Sequence, residues 1–221
     1  MSAGVAPTCV TVVGSGTDAG KTFVACRLIE DLHARGHRVG VRKPVVSGYV
    51  DDDEGSDPAR LMAAAHSTEA LDRVSPWRFA DAVSPDEAAR RANVVVAFDA
   101  VVAACHAGAS AFDVVVTETA GGVMSPLTQT HTQLDLVVAL GAPVILVVDA
   151  SYLGCISHGL TAWHALSSRA VDVAAVVVNR GSSEPFSRFL PPGLVCTDNE
   201  RARLATRIER VMPSSLSSRV P

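Results

Sequence analysis

The run Gly14, Ser15, Gly16, Thr17, Asp18, Ala19, Gly20, Lys21, Thr22 carries the residue types that phosphate chemistry needs, in the order it needs them. Glycines let the backbone turn so that successive N–H groups face phosphate oxygens, and a helix starting at the end of the run adds the positive end of its dipole. In such a loop Lys21 reaches the β- and γ-phosphates of a nucleoside triphosphate and the Thr22 hydroxyl ligates magnesium. Five residues separate Gly14 from Gly20, one more than in the common form of the loop.

A magnesium nucleotide needs a carboxylate from elsewhere in the chain. Glu118 ends an apolar run beside the glycine turn 119–122, and sites in open α/β sheets lie at the carboxyl ends of strands. Position alone leaves Glu118 open between a metal ligand and a strand-end surface carboxylate. Asp57, just before Pro58 and an apolar run, reads as well as an N-cap. Lys43 ends the run 38–42, where Pro44 and Gly48 fix a loop that can point Lys43 and Ser47 toward the phosphate loop. A second fixed lysine suits charge developing in phosphoryl transfer; its plain alternative is a surface lysine on a turn. A lysine that meets developing charge rather than packing a core predicts that Lys43→Ala keeps the fold but loses turnover.

These residues must be positioned by regular elements. Val-rich runs at 9–13, 38–42, 112–118, 142–149 and 171–179 alternate with longer amphipathic stretches, the rhythm of a parallel sheet whose two faces are covered by helices. The fold expected is a three-layer α/β/α P-loop fold with a mostly parallel central sheet. Helices are predicted over 21–35, closed by Gly36, and 93–107, closed by Gly108, with others over 132–140, 158–168 and 200–211. Ser84, Pro85 and Glu87 have the spacing of a capping box at a helix start. The acidic stretch 51–54 reads as a solvated loop.

Composition narrows the function. With 221 residues, 48% hydrophobic and 19% charged, the chain suits one domain over 1–212 followed by a disordered tail at 213–221. A net charge of -4 lacks the basic excess of nucleic-acid binders, so neither nucleic acid nor an anionic membrane is an expected partner. The longest apolar stretch, 142–148, falls far below the roughly 20 residues of a membrane span. The N-terminus has no basic segment of the signal-peptide kind, so a cytoplasmic location is expected. Five scattered cysteines without a CxxC pair read as reduced thiols, and His33 and His37 lack zinc spacing.

Taken together, GSGTDAGKT, KPVVSG, DPARL, SPDEAA, TETAGGVMSPL, PVILVVDASYLGCIS and VVVNR occur in an order that resembles the dethiobiotin synthetases, from about Cys9 to Arg180. The resemblance implies ATP- and magnesium-dependent closure of a ureido ring on 7,8-diaminopelargonic acid with carbon dioxide. It implies that Lys21 and Lys43 flank the carbamate and γ-phosphate, that Thr17 contacts the reacting group, and that Thr22, Asp57 and Glu118 hold magnesium. Ser47, Ser84 and Pro85 would shape the diamine pocket. Gly154, Cys155, Ile156 and Ser157 would catch the substrate carboxylate of a neighbouring subunit, which implies a homodimer with shared sites. Asn179 would meet the adenine edge.

Three places depart from the family pattern. Thr119 stands where glycine is usual, Ser157 where asparagine is frequent, and LVCTDNE (194–200) replaces a Gly-Pro base-binding turn, so another nucleoside triphosphate is admissible. The competing readings are a partition or positioning ATPase, whose extra early lysine is replaced here by Ser15 and Gly16, and a relative that binds nucleotide without catalysis. An amidase of the same superfamily would need a glutaminase domain, for which this chain has no room.

Overall fold

The computed structural model describes residues 8–212, except for the side chains of residues 198, 201 and 202. The tail expected at 213–221 lies outside them. Strands are β1 (Thr8–Gly14), β2 (Val39–Arg42), β3 (Val45–Ser47), β4 (Trp77–Phe79), β5 (Val114–Gly122), β6 (Val144–Asp149), β7 (Val173–Asn179) and β8 (Val195–Thr197). Helices are α1 (Lys21–Ala34), α2 (Asp57–Ala64), α3 (Leu71–Val74), α4 (Pro85–Arg91), α5 (Phe98–His106), α6 (Gln133–Leu140), α7 (Cys155–Ser168), α8 (Glu184–Ser187) and α9 (Arg201–Val211).

Six parallel strands form one sheet in the order β2-β5-β1-β6-β7-β8. Alternation along the strands divides the core between its faces, as the two-residue period of a strand requires. Val10, Val12, Val116, Val147 and Val177 pack with Leu28 and Ile29 of α1 and Ile208 of α9. Val13, Leu146, Val148 and Val178 pack on the other face with Leu134 of α6 and Leu166 of α7. The expected three-layer α/β/α arrangement is therefore present. No helix among the described residues is long and apolar enough to cross a membrane.

Register places the chemistry at one edge of this sheet. Glu118 pairs with Val12 of β1, and Arg42 of β2 pairs with Thr117. Strands β2, β5 and β1 are neighbours, so Lys43, which follows Arg42, lies beside Glu118 within β5, two residues short of the end of β1 where the phosphate loop begins; β5 runs on through the expected glycine turn to Gly122.

Several expectations need correction. The helix predicted from Asn93 starts at Phe98, because Asn93 adopts φ +53, a left-handed conformation that breaks the chain after α4. Helix α7 starts at Cys155, three residues before the expected His158, after Gly154 turns the chain with φ +96. The α4 start falls at Ser84 as predicted, but no capping box forms, since the Ser84 side chain makes no cap hydrogen bond. Glu87 instead accepts from Arg90 at 2.7 Å and Arg91 at 2.8 Å. A capping box forms at Thr132 and Asp135 of α6. Asp57 is not an N-cap: Ser56 precedes α2, and Asp57 is its first residue.

Strands β3 and β4 make a separate parallel pair, Val45 opposite Trp77 and Ser47 opposite Phe79, packed through Val45 and Phe79 on Ala88, Ala89 and Val101. The stretch LVCTDNE is not simply a turn, because it contributes edge strand β8 before its short terminal helical turn. The cysteines are free, with Cys105 and Cys196 buried and Cys9, Cys26 and Cys155 partly so.

One glycine tests how tightly α7 seats on the sheet. A Cβ at Gly159 would lie 2.7 Å from Phe186 Cε1 and 2.9 Å from Val148 Cγ1. Alanine in a helix interior gains about 0.5–1 kcal/mol over glycine, whereas overpacking costs about 1–3 kcal/mol. Gly159→Ala should therefore lower the denaturation midpoint in urea; a variant more stable than the parent would mean that α7 shifts freely.

Candidate active site

The phosphate loop bridges β1 and α1 and is held in shape from several sides. Lys21 folds back so that its Nζ donates to the Gly16 carbonyl at 3.2 Å. A side chain at Gly14 would fill that path, its Cβ 3.1 Å from Lys21 Nζ and 2.8 Å from the Gly16 oxygen. Ser15 N–H donates to the Val147 carbonyl at 2.9 Å. Ala19 is buried beneath the loop, while Thr17 and Asp18 are exposed on it. Gly20 has φ +93, and a Cβ there would collide with Asn179 Nδ2 at 2.0 Å. Asn179 uses that amide to donate to the Ala19 carbonyl at 3.1 Å, so the end of β7 braces the loop.

At the centre, Lys43 and Glu118 form a buried ion pair, Nζ to Oε1 2.6 Å, with the two residues 2% and 0% exposed. The surface-lysine and surface-carboxylate readings of these positions are both excluded. Lys43 Nζ also donates to Asp57 Oδ2 at 2.9 Å and to the Thr119 carbonyl at 3.3 Å. Thr22 Oγ1 lies 2.6 Å from Asp57 Oδ1 and 2.9 Å from Glu118 Oε1. One hydroxyl proton can serve only one of these carboxylates at a time. Glu118 Oε2 is buried with no hydrogen-bond partner among the described residues.

The electrostatics follow from this crowding. Burial alone would lower the Lys43 ammonium, but the Glu118 and Asp57 carboxylates outweigh it and hold the pKa above the usual lysine value. For Asp57, burial opposes ionisation, and Lys43 and the Thr22 hydroxyl outweigh it, so its pKa is lowered. Lys21 has weaker compensation: burial first, and then the Lys43 charge, bring it down to about 8. Oxygen donors from Thr22, Asp57 and Glu118, one of them buried without a partner, fit a hard divalent cation such as magnesium.

The cluster opens into a cavity of about 1080 Å³. Thr17, Asp18, Gly20, Lys21, Thr22, Lys43, Asp57, Glu118 and Asn179 line it, and so do Ser47, Ser84 and Pro85 across from the loop. Because the Ser84 hydroxyl makes no cap bond, it remains available to a ligand. Gly154, Cys155, Ile156 and Ser157 do not line this cavity. The unusual Thr119 is fully buried, with Oγ1 3.4 Å from the Val12 carbonyl, so its side chain packs on β1.

Residues that sequence reasoning did not single out also line the cavity: Arg60, Gly121, Ser125 and Arg180. Arg180 donates to the Asp18 carbonyl and to Asp149 Oδ2, the latter at 2.8 Å. Its signal was its place directly after Asn179 at a strand end. Gly121 and Ser125 sit within TETAGGVMSPL, where the glycine turn was visible but the serine's approach to it was not.

Fold and site together define a nucleoside triphosphate-binding protein of the P-loop class. Residues 8–212 match a family model described as an AAA domain. A ParA family ATPase structure from Chlorobium tepidum TLS aligns over 97% of each chain with a TM-score of 0.54 at 12% identity, a likeness of fold. An ATP-dependent dethiobiotin synthetase BioD from Caulobacter sp. (strain K31) is 49% identical over 177 residues, 79% of this chain and 76% of that one. Another so named, from Phenylobacterium zucineum (strain HLK1), is 45% identical over 79% of this chain and 76% of its own. The chain belongs to the dethiobiotin synthetase family.

Removing Lys43 takes the ion-pair partner from a buried Glu118, so Lys43→Ala, expected from the sequence to keep the fold and lose turnover, should keep that fold only with reduced stability. It should cost about 3–5 kcal/mol in a denaturant titration, and adding Glu118→Gln should recover much of that loss without restoring turnover. A stability unchanged in Lys43→Ala would contradict the buried pair.

Lys21 generates a pH dependence with a defined sign. Its free pKa is about 8, and a bound phosphate raises it, so nucleotide binding near pH 8–9 should take up a proton and weaken as pH climbs above 8. Calorimetry in buffers of different ionisation enthalpy measures that uptake. A nucleotide affinity that is flat to about pH 10 would contradict it.

Proposed function

We propose that this chain is an ATP-dependent dethiobiotin synthetase that closes the ureido ring of dethiobiotin on 7,8-diaminopelargonic acid with carbon dioxide. The observation that carries this reading is that the phosphate loop, the Lys43–Asp57–Glu118 cluster and the small residues Ser47, Ser84 and Pro85 all border one cavity. That shared border supports adjoining places for a nucleotide and a second substrate.

The nitrogen of one neutral substrate amine bonds to carbon dioxide and loses a proton to solvent, giving a carbamate anion. A carbamate oxygen attacks the γ-phosphorus of ATP, the bond to the β-phosphate oxygen breaks, and ADP leaves. The second amine attacks the carbonyl carbon of the resulting carbamic–phosphoric anhydride, loses a proton, and releases phosphate as the ring closes. The chain contributes position and charge. Lys21 and Lys43 face the reacting anions, Thr17 contacts the transferred group, and residues 14–22 cradle the phosphates with Asn179 toward the adenine. Ser47, Ser84 and Pro85 bound the diamine.

Thr22, Asp57 and Glu118 would hold magnesium, which would supply positive charge to offset that of the phosphates. Lys43, held between Glu118 and Asp57, presents its ammonium to the cavity in which substrate would lie. The enzyme is one catalytic domain, 1–212, working in the cytoplasm as a homodimer. Tyr152 and Leu153 are exposed just before Gly154, Cys155, Ile156 and Ser157, and that turn serves a neighbouring subunit's substrate carboxylate.

Incubation of the purified protein with 7,8-diaminopelargonic acid, bicarbonate and magnesium, with ATP and CTP in parallel, should yield dethiobiotin by mass spectrometry and phosphate release that depends on the diamine. Bound nucleotide without product in either reaction would overturn the reading.

A further inference from the structure

Ser125 has no part in the scheme above, yet it lines the same cavity as Thr17, Lys21 and Gly121. Its hydroxyl is constrained on one side and open on the other. The Gly122 N–H donates to Ser125 Oγ at 2.9 Å, occupying a lone pair. Backbone bonds hold the residue in place: Ser125 N–H donates to the Gly122 carbonyl at 3.0 Å, and Gln133 N–H donates to the Ser125 carbonyl at 2.9 Å. Among the described residues no protein group accepts the Ser125 hydroxyl hydrogen. A serine hydroxyl has one donor to give, and here it is unspent.

Glycine at 121 is what brings that hydroxyl to the phosphate loop. Gly121 has φ +67, and a Cβ there would lie 2.4 Å from Ser125 Oγ and 3.8 Å from Thr17 Oγ1. Both hydroxyl oxygens therefore border the space that Gly121 leaves open. The next residue seats directly on the loop, since a Cβ at Gly122 would lie 3.2 Å from Gly16 Cα. Gly16 in turn accepts from Lys21 Nζ.

We propose that Ser125 is a further catalytic residue whose hydroxyl donates to the transferring phosphoryl group, opposite Thr17 across Gly121. This rests on the nucleotide-dependent reaction proposed above and adds a donor to it. A preorganised donor aimed at a charged oxygen needs no rearrangement at the moment of reaction.

The test compares wild type, Ser125→Ala and Ser125→Cys by calorimetry with ADP and a non-hydrolysable ATP analogue, and by turnover. A hydrogen bond to a charged group predicts that both variants lose about 10- to 100-fold in analogue affinity and in turnover while ADP affinity stays within about twofold. Cysteine keeps the size of the side chain but is a poor donor, so it guards against a fold effect of alanine. Analogue affinity within about twofold of wild type, or ADP affinity falling as far as analogue affinity in both variants, would overturn the proposal. Absence of product from wild type would overturn the dethiobiotin reading alone, because the two affinities still report on Ser125.

Discussion

The buried pair between Lys43 and Glu118, 2.6 Å apart, is the constraint on which the site depends. Two opposite charges taken out of water are rarely a net source of stability, because desolvation offsets their attraction. Keeping them buried makes sense only if the protein needs both groups fixed. Register supplies the fixing: Arg42 pairs with Thr117 and Glu118 with Val12, so the lysine that follows β2 meets the carboxylate inside β5, next to the end of β1 where the phosphate loop starts. Asp57 and Thr22 then close the ring of contacts from the starts of α2 and α1. The result is a cluster of two cations and two anions that is balanced until a nucleotide arrives and unbalanced by its phosphates.

Around that cluster the backbone is shaped for close approach. Gly14 leaves room for Lys21 to fold back, and Gly20 leaves room for Asn179. The small sheet of β3 and β4 carries the opposite wall, since Ser47 ends β3 and the chain after β4 leads to Ser84 and Pro85. Both walls thus belong to regular elements packed into cores of their own, which is why one large cavity can stay open between them.

Much of this was legible in the sequence, for physical reasons. Strands buried on both faces read as uninterrupted apolar runs, so all five long strands were visible, and the phosphate loop announced itself by composition and context. Strands of three residues, β3, β4 and β8, leave no periodicity to detect, and two of them follow proline directly. The Ser84 start was legible but its cap was not, because Glu87 is drawn to Arg90 and Arg91 rather than back to the N-cap. Lys43 and Glu118 could each be read as surface charges, since burial of a charge depends on a partner that lies 75 residues away. Ser125 was invisible for the same reason: its importance lies in what Gly121 omits.

Glu118 pairs with Lys43 in the structure and is proposed to hold magnesium when nucleotide is bound. Measuring ATP affinity with and without magnesium in wild type and Glu118→Gln tests this most directly. Magnesium should tighten ATP binding to wild type about tenfold or more and do so hardly at all in Glu118→Gln. An equal magnesium effect in both proteins would contradict it.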